Sequence, residues 1–139
     1  MMVNLPARKV GIISCSGEGC VEGTVSRVAT RLVLEKLRPQ KTVTICLPLF
    51  LAGGIEERAF ARYYPTIAVD GCEKLCAKIG TERHSGKTAS SIVVSELTNN
   101  GNRSKEWSRR KLDGESLALA EKVAERIAQE VDEVLEHWR

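Results

Sequence analysis

Five cysteines, Cys15, Cys20, Cys46, Cys72 and Cys76, are the residues of this 139-residue chain best suited to chemistry. Two of them lie in the stretch Val-Asp-Gly-Cys-Glu-Lys-Leu-Cys at 69–76. The apolar run 66–69 reads as a buried strand, Asp70-Gly71 as a turn, and 72–79 as a helix. That reading puts Cys72 at the strand-to-helix junction and Cys76 one turn on, both on one face of the first turn. A helix N-terminus carries partial positive charge and favours thiolates there. Thiolates bind soft metals or do redox chemistry, so the other cysteines matter if the fold brings them to the same place.

The elements that must position them alternate. Residues 9–14 form a strand candidate, followed by a glycine-containing loop with Cys15 and Cys20. From 23 onward Val25, Val28, Ala29, Leu32, Val33 and Leu37 recur at helical spacing until Pro39. Residues 42–46 read as a second strand ending at Cys46, 47–51 as an apolar loop, and 55–62 as a second helix ended before Pro65. The third strand and helix are those of the central stretch. Residues 91–95 read as a fourth strand and 98–114 as a long, mobile polar loop. In 116–138, Leu117, Ala120, Val123, Ala124, Ile127, Val131, Val134, Leu135 and Trp138 make one apolar stripe of period 3.6, the clearest helix in the chain.

Alternating strands and helices predict an α/β, Rossmann-like three-layer domain with a mostly parallel sheet and helices on both faces. Strand order 2-1-3-4 is the simplest doubly wound arrangement, and ligands in such sheets bind beyond the carboxyl ends of the strands. Neighbouring strands lie about 5 Å apart. Cys15 after strand one, Cys46 after strand two, and Cys72 with Cys76 after strand three then converge on one sheet edge. Four thiolates at about 2.3 Å make a common zinc site. A buried cysteine also serves as a small hydrophobe, but several at equivalent strand ends point to metal or redox chemistry.

Composition bounds the remaining choices. The length suits one domain, 1–139, with a core large enough to fold without disulfides. Apolar and charged fractions of 42% and 28% are those of a globular protein, and a net charge of +3 is mild. No apolar segment approaches the roughly 20 residues of a membrane span, and no signal-peptide pattern is present. The expectation is a cytoplasmic protein without a membrane partner, in which cysteines serve as ligands, catalytic thiols or core fillers rather than a disulfide framework.

Cys15-Ser16-Gly17, Cys46, and Asp70-Gly71-Cys72 with Cys76 occur in the order seen in the DGC-domain family, suspected zinc-binding proteins named for a central Asp-Gly-Cys. The chain resembles that family over 10–97. The resemblance implies a small α/β domain holding Zn²⁺ through Cys15, Cys46, Cys72 and Cys76, with no known reaction. Cys20 is a departure: a fifth thiol able to substitute for one of the four or to act as a resolving thiol.

Other readings use the same residues. The four thiolates would also serve a thiol or persulfide carrier or an iron–sulfur cluster. The 15–19 loop is similar to the phosphocysteine loop of sugar-transport IIB domains and has the form of an anion-binding turn. It lacks the arginine six residues after Cys15 found in low-molecular-weight tyrosine phosphatases, Val21 standing there, and Glu18 and Glu22 oppose an anion. Arg103, Lys105, Trp107, Arg109, Arg110 and Lys111 make a basic segment, but Glu106 and Asp113 interrupt it, and a solvated loop is expected rather than a nucleic-acid contact. His84 is expected on the surface, with a role as an alternative ligand as the second reading, His137 on the final helix far from the strand ends, and Asp70 is expected to hold the turn or support a metal ligand. The oligomeric state, and any small-molecule or protein partner, are open.

Overall fold

The sheet is built from four short runs that alternate between its two faces. The computed structural model describes residues 8–17, 19–98 and 107–138. Among them, β1 (Val10–Ser14), β2 (Thr42–Thr44), β3 (Thr66–Asp70) and β4 (Ser90–Val93) form an all-parallel sheet of order β2-β1-β3-β4. The expected α/β class, parallel sheet and strand order 2-1-3-4 are therefore present. β1 and β3 are central, and their register pairs Ser14 with Val69, so their carboxyl ends finish side by side.

Side chains of successive strand residues point to opposite faces, and the core divides accordingly. Val10, Ile12, Ile67, Val69 and Ile92 belong to a larger core closed by α1 (Val21–Leu32) and the long α7 (Gly114–Glu136). Ile13 and Ala68 point the other way, into a smaller core with Leu47 and Phe50 of α2 (Leu47–Ala52) and Ala77 of α5 (Cys76–His84). Helices thus cover both faces, as right-handed crossovers require. In α7 the predicted stripe is the docked face: Ala120, Val123, Ala124, Ile127 and Val131 are buried.

The local differences from expectation have physical causes. Residues 47–51 were expected as an apolar loop, yet they are helical, with Pro48 in the first turn. Proline is tolerated in a helix's first turn, where its missing N–H would have no partner. Residues 55–62 form two single turns, α3 (Ile55–Arg58) and α4 (Phe60–Tyr63), rather than one helix. α1 ends in a wider turn, in which the Arg38 N–H donates to the Val33 carbonyl five residues back. After β4 the chain turns at once into α6 (Val94–Leu97), so the fourth strand is shorter than 91–95. Within the polar segment 98–114, residues 99–106 lie outside the described residues, and 107–113 are irregular before α7 starts at Gly114. No helix is long and apolar enough to cross a membrane, among the described residues.

α7 contributes Ala120, Val123, Ala124, Ile127 and Val131 to the larger core, so its buried stripe should matter for stability. Ile127 is fully buried, whereas Leu117, on the same helix, is 38% exposed. Ile127→Ala is expected to lower unfolding free energy by about 2–5 kcal/mol, and Leu117→Ala by less than about 1 kcal/mol. Urea denaturation of both variants measures this, and equal losses would contradict the docked face.

Candidate functional site

β1 and β3 each deliver a cysteine-bearing loop to the same edge of the sheet. The loop after β1 carries Cys15 and Cys20, and Cys20 is the last residue before α1. The loop after β3 carries Cys72, and α5 opens at Cys76. The expected helix over 72–79 thus begins four residues later. Cys72 sits in a turn rather than on the first turn of the helix, and the two thiols are not stacked along one helical face.

That late start follows from two residues. Leu75, immediately before α5, adopts a left-handed backbone with φ 55°. This conformation is sterically costly for a side chain larger than glycine and ends any helix attempted from 72. Asp70, 1% exposed, reaches across the turn and accepts hydrogen bonds from the N–H groups of Ala77 (2.6 Å) and Lys78 (3.0 Å). These are among the N–H groups that a helix start leaves unpaired. The cap therefore comes from the strand end, six residues before Cys76, and ties the Cys72–Cys76 loop to β3. Burial raises the Asp70 carboxyl above its ordinary range, against the lowering effect of those two N–H groups and of Lys78.

The two loops meet through backbone. A Cβ on Gly71 would sit 2.6 Å from Gly23 Cα, closer still to Gly23 N, and 2.7 Å from the Glu22 carbonyl carbon. Gly17, at φ 87°, packs equally tightly on Gly23. The start of α1 therefore rests directly on the turn after β3. Between the loops lies a cavity of about 550 Å³ whose walls include Cys15, Cys20, Cys72 and Cys76, with Glu22, Asp70 and Lys74.

Four of the five thiols share this cleft, but the four are not those expected. Cys46 was expected as a strand-two ligand. β2 ends at Thr44, and Cys46 instead precedes α2, is exposed, and lines a separate cavity on the far side of Cys15. Cys20, expected as a substitute, lines the cleft itself. All five cysteines are free thiols. Neither His84, at the end of α5, nor His137, just beyond α7, lines the cleft.

The electrostatics of the cleft raise two of its thiols, Cys20 and Cys76. Burial pushes the Cys20 thiol up, and the Glu22 carboxylate and the neighbouring Cys72 and Cys15 add to the effect. Burial also raises Cys76, reinforced by Asp70, Cys15 and Cys72. Cys15 Sγ lies 3.1 Å from Ser26 Oγ, whose hydroxyl donates to the Gly23 carbonyl at 2.6 Å. The Cys15 thiol also lies 4.0 Å from the same Gly23 carbonyl, so either the thiol or the serine hydroxyl can donate within the pair.

In donor chemistry the cleft suits a soft cation: four sulfurs, no imidazole and flanking carboxylates. In spacing it is open. Among the described residues, no group of three or more His, Cys, Asp or Glu side chains is already drawn together around a point that could hold a metal ion. The thiols surround a volume.

One neighbour was not legible as part of this region. Thr24, in α1, donates its hydroxyl to the Arg109 carbonyl at 2.5 Å, and an Arg109 guanidinium N–H lies 3.4 Å from the Gly19 carbonyl. Arg109 therefore packs on the first cysteine loop and the start of α1. Isolated arginines in a polar run carry no spacing signal for such a contact.

The Gly71–Gly23 contact generates a direct test. In Gly71→Ala the new methyl meets backbone, which cannot swing aside, and a loss of about 1–3 kcal/mol is expected. Gly19→Ala faces open space, so a change within about 0.5 kcal/mol is expected there. Thermal or urea unfolding decides, and a neutral Gly71→Ala would mean that the two loops are not held together by this contact.

No curated protein and no solved structure matches the chain. A family model described as the DGC domain matches residues 11–131, which takes in both cysteine loops, all of the sheet but Val10, and most of α7. The chain belongs to the DGC domain family.

Proposed function

We propose that this chain binds Zn²⁺ through cysteine thiolates of the cleft between the β1 and β3 loops. The observation that carries the reading is that Cys15, Cys20, Cys72 and Cys76 line a single cavity. The shared cavity favours Cys20 over Cys46 as the fourth ligand beside Cys15, Cys72 and Cys76. Tetrahedral zinc takes four such sulfurs at about 2.3 Å, so binding draws the two loops inward from their open arrangement. Both loops are short and irregular, and their anchors, Asp70 and the glycine contact, lie at their bases.

The surroundings of the thiols favour a cation over a reactive thiol. A nucleophilic or persulfide-carrying cysteine works as a thiolate and calls for a lowered pKa. Here burial and carboxylates raise Cys20 and Cys76. A divalent cation reverses that balance by displacing the thiol protons and offsetting the negative charge. The same carboxylates weigh against a phosphate bound at the first loop. An iron–sulfur cluster uses the same ligands and is separated from zinc by colour and iron content.

Zinc content of reduced, untagged protein purified without added metal tests the proposal. About one zinc per chain is expected. Cys15→Ser, Cys20→Ser, Cys72→Ser and Cys76→Ser should each lose most of it, because a hydroxyl is a poor zinc ligand, while Cys46→Ser should retain it. Loss in Cys46→Ser with retention in Cys20→Ser would restore Cys46 as the ligand. Absence of metal from the reduced parent protein would remove the proposal.

A further inference from the structure

A second cavity, of about 330 Å³, lies on the other side of Cys15, between α1 and the β2–α2 junction. Cys15, Ser16 and Cys46 line it together with Arg27, Thr30 and Arg31 of α1. Its electrostatics are opposite to those of the thiol cleft. Two guanidinium-bearing residues line it and no carboxylate does, among the described residues, whereas three acidic residues, Glu22, Asp70 and Glu73, and one basic residue, Lys74, line the cleft.

The arginines stand four residues apart, so they share one face of the helix. Arg27 has no ion-pair or hydrogen-bond partner among the described residues. Arg31 pairs with Glu35 at 2.9 Å, but both side chains are more than half exposed, and such a surface pair exchanges readily. Between them Thr30 is 3% exposed, and its hydroxyl oxygen is buried without a hydrogen-bond partner. A buried hydroxyl normally has one, and Thr30 is among the residues that line the cavity.

We infer that this cavity is a binding subsite for a compact oxyanion, the phosphoryl, sulfo or carboxylate end of a small molecule, held by Arg27 and Arg31 beside the Cys46 thiol. Guanidinium groups suit this role because their planar donors match two oxygens at once. The wall formed by Cys15 and Ser16 is shared with the thiol cleft, so an anion seated here lies next to that cleft without entering it. The inference stands apart from the zinc proposal: it needs no metal and assigns Cys46 to the other cavity. It also differs from an anion bound in the thiol cleft, which Glu22, Asp70 and Glu73 line.

Alkylation of Cys46 reads the subsite directly. The Cys46 thiolate displaces iodide from either iodoacetate, an anion, or iodoacetamide, its neutral analogue, forming a carbon–sulfur bond in both cases. Peptide-level mass spectrometry of the reduced full chain gives both rates at Cys46. The iodoacetate-to-iodoacetamide ratio should fall by about threefold or more in an Arg27→Gln/Arg31→Gln protein, because the local field no longer concentrates the anion. Arg27→Lys should keep most of the ratio. In the parent protein, at matched ionic strength, phosphate or acetate should slow iodoacetate at Cys46. Protection by phosphate alone assigns a phosphoryl or sulfo ligand, and protection by acetate a carboxylate. If the double variant does not fold, Arg27→Gln alone carries the comparison, since Arg27 is exposed and unpaired. An unchanged ratio, or protection by neither anion, would overturn the subsite.

Discussion

The site depends on one backbone contact. Gly71, at the turn after β3, touches Gly23 in the first turn of α1, with no room for a Cβ between them. Parallel pairing brings the ends of β1 and β3 side by side, but strand pairing alone leaves the loops beyond them free to diverge. The glycine contact joins those loops at their bases, and the thiols of both then line the same space. Asp70 secures the second loop from inside: its carboxylate caps α5 while its backbone ends β3. An ordinary helix cap immediately before Cys76 could hold the helix, but it could not tie the helix to the strand.

The same packing explains the charge of the cleft. Pressing α1 onto the β3 turn buries Glu22 and Asp70 beside thiols. Negative groups and burial act together to keep Cys20 and Cys76 protonated. Such a pocket is poorly arranged for a thiolate nucleophile and better arranged for a cation that would neutralise several acids together. On the opposite side of Cys15 the lining changes sign, with Arg27 and Arg31 in place of carboxylates. The β1 loop thus separates two electrostatically unlike cavities.

Much of the fold was legible because its signals are long or repeated. The apolar stripe of α7 spans more than five turns, and the alternation of strands and helices leaves few parallel topologies, so order 2-1-3-4 followed from connection rules. The site was legible only in part. That Cys15, Cys72 and Cys76 stand near strand ends follows from the alternation. The exact start of α5 does not, because it depends on a left-handed Leu75 and on a cap supplied from Asp70, neither of which has a local pattern. Cys46 was misplaced because β2 stops at Thr44, two residues before it, and α2 turns the chain away. The place of Cys20 in the cleft was not legible, because it depends on how α1 meets Gly71, a contact between residues far apart in sequence.

In the proposed zinc site, thiols from both loops close on one cation. X-ray absorption at the zinc edge of the loaded, reduced protein counts the atoms bound to the metal and identifies their type. A single shell of four sulfurs at about 2.3 Å is expected. A shell dominated by nitrogen or oxygen, or a protein that takes up no zinc when reduced, would contradict it.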